Sequence, residues 1–173
     1  MDQLHTDTRG IFPSAELPAA PSLNKTEASL RVAEDRLILA GTRAGTFEIG
    51  TTWAALHSKI QGAKPKRAAD PRYAFVLPLG YVPERDFVQV AALRILLAFS
   101  TVDRTLFEIF VRDPAYSTPE GIRVGTPSSS LRRVSGLTRR HTKDTDYFQG
   151  EGITFLVSKG TVMEIAVVRR VQK

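Results

Sequence analysis

Two stretches of this chain repeat one another in the same order, and that self-similarity constrains the fold more than any other feature. "TFEIGTTWAALHSKI" (46–60) aligns with "GIRVGTPSSSLRRVS" (121–135). In each, a short β-type run puts an apolar residue beside glycine (Ile49-Gly50, Val124-Gly125), threonine follows, and leucine falls six residues after the glycine, at Leu56 and Leu131. Further on, "LRILLAFSTVDRTLFEIFVRD" (93–113) aligns with "GITFLVSKGTVMEIAVVRR" (152–170), both reading as a strand, a tight turn and a strand ending Glu-Ile-x-Val. The glycines lie 75 residues apart and the Glu-Ile pairs 56, so the first copy carries extra residues within "KPKRAADPRYAFVLPLGYVPERDFVQV".

Local chemistry gives each copy a shape. Thr51 or Thr126 offers an oxygen to cap a following helix, and Pro127 suits a first helical turn, where its missing N–H costs nothing. Trp53, Leu56 and Ile60 share one helical face, as do Leu131 and Val134. Basic loops follow each helix, "QGAKPKRAADP" and "SGLTRRHTKDTDYFQGEG". The hairpins turn at Thr101–Arg104 and Ser158–Gly160, with Gly160 free to take positive φ. Alternation in the last strand is interrupted at Met163 and Glu164. Upstream, "SLRVAEDRLILAG" reads as a further hairpin turning at Glu34-Asp35. The expectation is an α+β fold: two tandem repeats (about 46–113 and 121–170), each a short helix packed on an antiparallel hairpin, after an N-terminal β-hairpin. A flexible leader occupies 1–27 and one domain spans 28–173.

Such a unit resembles the tandem repeat of β-lactamase-inhibitor-type proteins, and is similar to the small outer-membrane lipoprotein (SmpA/OmlA-like) fold. "TPEGIRVGTPSSSLRRVSG" also looks like a pattern of bacterial extracytoplasmic domains. The chain has no cysteine, so it lacks both the inhibitors' disulfides and a lipobox. The resemblance implies a non-enzymatic binding, inhibitory or scaffolding module that recognises a protein or a cell-envelope component.

Composition narrows the alternatives. The 42% hydrophobic and 24% charged residues are those of a soluble globular domain. Apolar runs are interrupted at Arg94, far short of the roughly 20 residues that span a bilayer. Residues 1–27, rich in Pro, Ala, Ser and Thr, have neither the basic start nor the apolar core of a signal peptide. The chain as written reads as cytoplasmic, or as periplasmic or secreted if Met1 replaces a removed signal. Absent cysteine excludes disulfides, thiolate metal sites and thiol catalysis.

The net charge of +6 and pI near 9.9 favour anionic partners. Ten Lys/Arg against five Asp/Glu fall in 114–173. "GIRVGTPSSSL" has no lysine for a phosphate-binding loop and no base for a serine nucleophile. His5, His57 and His141 are too scattered for a metal site, although Asp144 and Asp146 stand near His141. Glu108 and Glu164 read as the polar face of a strand, ion-paired with Arg104 or Arg112, rather than as catalytic carboxylates. No enzyme activity and no cofactor are expected.

The candidate partner-binding residues are the basic loops and the tyrosines that close them: Lys64, Lys66, Arg67, Arg72 and Tyr73 in one, Arg139, Arg140, Lys143 and Tyr147 in the other. Were the two loops to share an edge, they would form one patch. A protein or envelope partner is the first reading, a nucleic acid or other polyanion the second, an enzyme of unrecognised type the third.

Overall fold

Sheet, not helix, organises the protein. A computed structural model describes residues 36–57, 60, 66–68, 85–142 and 145–170. The predicted leader (1–27) and the turn at Glu34-Asp35 lie outside them. Three two-residue strands come first: β1 (Ile38–Leu39), β2 (Arg43–Ala44) and β3 (Phe47–Glu48), forming a small antiparallel sheet. A five-residue helix, α1 (Trp53–His57), follows. The large sheet contains β4 (Lys66–Ala68), β5 (Arg85–Val90), β6 (Ile95–Ser100), β7 (Leu106–Val111), β8 (Thr138–Thr142), β9 (Thr145–Gly150), β10 (Ile153–Ser158) and β11 (Thr161–Val168). Its order is β4-β5-β6-β7-β11-β10-β9-β8, all antiparallel. Each half is a run of consecutive strands, and the halves meet where β7 pairs with β11.

This arrangement corrects the predicted α+β tandem of helix-on-hairpin repeats. The second "helix", Ser128–Arg133, is a 3-10 turn with no side-chain cap. Three consecutive serines compete for the backbone and do not support an α-helix there. Thr126 does not cap it: its hydroxyl oxygen accepts from the Arg123 amide and closes the preceding turn. In the first copy it is Thr52, not Thr51, whose oxygen accepts from the Ala55 amide. What the aligned stretches do share is a corner clipped to a strand. The Gly50 amide donates to the Leu106 carbonyl and the Leu106 amide to that of Thr51; the Gly125 amide donates to Val162 and the Val162 amide to Thr126. Trp53 then donates to Arg104, as Ser128 does to Gly160. The closing hairpins match as well. Lys159 (φ 50) and Gly160 (φ 75) make a two-residue turn with positive φ at both positions, whose twist suits the flanking strands. The longer turn after Ser100 is held by the Ser100 hydroxyl, which accepts from the Val102 and Asp103 amides, and by Asp103, which accepts from Thr105.

The extra residues of the first copy supply β4 and β5, and the stretch read as the second basic loop is instead the β8–β9 hairpin. A β-bulge explains the interrupted alternation. On β7, Ala98 pairs Glu108 while Phe99 pairs Leu106, leaving Phe107 extra. On β11, Leu156 pairs Glu164 while Val157 pairs Val162, leaving Met163 extra. Each bulge puts two successive side chains on one side of the sheet.

One face carries the main core, with Val88, Leu97, Phe99, Ile109, Phe155, Ile165 and Val167 buried against Ile38, Phe47, Leu56, Ile60 and Leu131 from the covering segments. Each such side chain contributes about 1.5–3 kcal/mol on burial. Trp53 packs its edge on Phe99, centroids 5.3 Å apart at 89°. The covering segment is tied to the link that follows β7 and to the β9–β10 turn: the Ile38 amide donates to Ser117 and the Gly41 amide to Gly152. The opposite face holds a smaller cluster, Ala98, Phe110, Ala166 and Val168, beside two buried carboxylates.

Candidate functional site

The two basic segments do not share an edge. Lys66 and Arg67 lie in β4 at one end of the large sheet, and Arg139 and Arg140 in β8 at the other, which removes the predicted single patch. Lys64, Arg72, Tyr73 and Lys143 lie outside the described residues. Tyr147 is buried in β9, so it offers no exposed stacking surface.

The β8 edge is nevertheless built. All five of its residues are exposed. Period-two geometry sends Arg139 and His141 to one face and Arg140 to the other. Arg139 pairs across the ladder with Phe148, over whose ring its guanidinium carbon sits at 5.9 Å. Its Nε and Nη2 donate to the two oxygens of Asp146, at 3.1 and 2.9 Å. His141 Nδ1 is 2.8 Å from Asp146 Oδ1. Asp146 is thus a counter-ion to Arg139 and His141, and Asp144 lies outside the described residues. Among the described residues no group of three or more His, Asp or Glu side chains is arranged to hold a metal ion. Arg140 forms no ion pair among the described residues. Arg132 and Arg133, also exposed, sit on the turn that leads into the strand.

The bidentate contact with Arg139, followed by that with His141, holds the Asp146 carboxyl below the usual carboxylate range. A carboxylate depressed in the folded state stabilises above its unfolded pKa, and that contribution disappears as pH falls through the folded value. Acidification below the ordinary carboxylate range is therefore expected to loosen β8 from β9 first, seen as faster amide exchange at Thr138–Thr142 while the central strands stay protected. Asp146→Asn should reproduce this at neutral pH and shift global stability by less than about 1 kcal/mol, because the pair is solvent-exposed. Equal protection of β8 in both proteins would show that Asp146 does not order the edge.

Glu108 and Glu164 are not a polar surface face: both are buried, at 0% and 2% exposure. Arg85 Nη1 donates to Glu108, and Arg112 Nε to Glu164. Arg104 instead donates to Asp86, at 3.0 Å. Arg85 is 1% exposed and also lies over the Phe107 ring, at 5.3 Å. Carboxylates held this way by guanidinium groups serve the packing of the second face. Sequence reasoning missed Arg85, the pairing of Asp146 with Arg139, and Phe148. The last two carry a signal in hindsight, an acid and an aromatic at alternate positions facing a run of basic residues.

No helix among the described residues is long and apolar enough to cross a membrane. No family model matches the chain, and no curated protein matches it. Among solved structures, the crystal structure of the uncharacterized protein yfeY from Escherichia coli is similar, with 16% sequence identity and a TM-score of 0.46, covering 75% of this chain and 95% of that one. At that level the likeness carries no argument about this chain.

Proposed function

We propose that this protein is a non-catalytic binding module that recognises a protein or cell-envelope partner through the β8 edge. One observation carries the reading: a fully exposed edge strand whose arginine is already held by Asp146 and Phe148. A side chain ordered before contact loses less entropy on binding. Arginine on an aromatic ring is also a common anchor type at protein interfaces.

The test is capture from a lysate of the source organism, comparing the wild type with Arg139→Glu/Arg140→Glu at low and near-physiological salt. A partner retained by the wild type and lost by the variant is the expected result. Identical captured sets would remove β8 from recognition. Retention on heparin or DNA that falls steeply with salt would transfer the edge to polyanion binding, whose affinity tracks the phosphates neutralised.

A further inference from the structure

Resting on that reading, we propose that β8 docks an extended, acidic protein segment by strand addition, so that the partner continues the large sheet beyond its β8 end. Two properties of the edge converge on this class of partner.

The first is the backbone. In an antiparallel ladder alternate residues turn their N–H and C=O away from the neighbouring strand. β8 ends the large sheet, and every one of its residues is exposed. Its outward row of donors and acceptors is thus a template for another strand. Five ladder pairs with β9, from Thr138↔Gln149 to Thr142↔Thr145, hold that row in register with no bulge.

The second is charge. Arg139 and His141 lie to one side of the sheet plane and Arg140 to the other, so a strand laid alongside meets positive groups on both faces. Asp146 offsets part of the charge on the first face, while Arg140 keeps its own. Opposite charges on neighbouring strands attract and like charges repel. A second copy of β8 would set arginine against arginine or histidine, which disfavours self-pairing and leaves an acidic segment as the matching occupant. A nucleic acid would answer the charges but has no amide ladder to offer the strand.

The probe is a synthetic peptide of about eight residues in which pairs of glutamates alternate with pairs of valines, so that carboxylates fall on both faces of the added strand, titrated into the isotopically labelled full chain and followed by amide shifts and hydrogen exchange. Saturable changes confined to β8 and its neighbour β9, with slowed exchange of β8 amides, are expected. Affinity should fall at least about tenfold, 1.4 kcal/mol, for the same peptide N-methylated throughout, and likewise for Arg139→Glu/Arg140→Glu. Arg140→Gln, which only neutralises a side chain without an ion-pair partner among the described residues, gives an intermediate loss and guards against a folding defect in the double variant.

Equal binding of the N-methylated peptide, or of a heparin fragment, would reduce the edge to a charge contact and overturn strand addition. So would shifts at β4, or no binding. If the peptide fails while the lysate partner still depends on Arg139 and Arg140, strand addition falls and the binding role stands. If neither binds, both fall.

Discussion

Glu108→Ala is expected to cost about 3–5 kcal/mol, a large part of the stability of any domain this size. Glu108 is fully buried and Arg85 is 1% exposed, so the variant strands a guanidinium where water does not reach it. Two of its nitrogens, Nε and Nη2, already lack hydrogen-bond partners among the described residues, which leaves Glu108 as its main compensation there. Removing both charges avoids that penalty. Arg85→Met with Glu108→Leu should therefore recover most of the loss, since hydrophobic replacement of a buried pair is often neutral or better. Glu164→Ala should cost less, about 1.5–3 kcal/mol, because Arg112 is 46% exposed and regains solvent. Urea unfolding followed by the fluorescence of Trp53, the single tryptophan, measures the three variants against the wild type. A Glu108→Ala cost under about 1 kcal/mol would mean that the pair is hydrated in solution.

Gly152→Ala should be of similar size, about 3 kcal/mol or more, for a different reason. Gly152 sits at φ +75, where a side chain is strained, and an added Cβ would lie 2.5 Å from the Cα and nitrogen of Gly41. The obstruction is backbone and has no rotamer to change. Retreat of Gly41 would break its donation to the Gly152 carbonyl, at 2.8 Å, and lift the covering segment from the β9–β10 turn. Gly160→Ala is the control. It shares a φ of +75, but nothing lies within 4 Å of its added Cβ, so only the conformational cost of about 1 kcal/mol remains. Equal melting temperatures for the two variants would show that Gly41 and Gly152 do not touch in solution.

The sequence disclosed the parts of this fold that are local. Gly50-Thr51 and Gly125-Thr126 mark matched corners because glycine and threonine have specific uses where a chain turns. The two hairpin turns, and the core positions Leu56 and Ile60, were legible for the same kind of reason. The dominance of the sheet was not. β8 reads "TRRHT", with no apolar alternation, because an exposed edge strand buries nothing and is better protected by charge. Bulges at Phe107 and Met163 shifted the alternation just where it would have placed the two glutamates inside. Of the site, Arg139 and Arg140 were found by charge alone. That their loop and the one around Lys66 end at opposite edges depends on strand order, which is a long-range property with no local mark. The Arg85–Glu108 pair was hidden likewise, its partners joined only once β5, β6 and β7 align.

The pairing of β7 with β11 has a consequence for how the chain assembles. Every other ladder of the large sheet joins strands that follow one another in sequence, whereas this one joins 108–111 to 165–168. During synthesis the amino-terminal half emerges first and can form its meander from nearby contacts. Its β7 edge then stays open until nearly sixty more residues have followed. In that interval the β11 of a neighbouring molecule presents the same complement as the chain's own. Domain exchange across this seam is thus the characteristic assembly error of the architecture, favoured by crowded expression and suppressed by dilution.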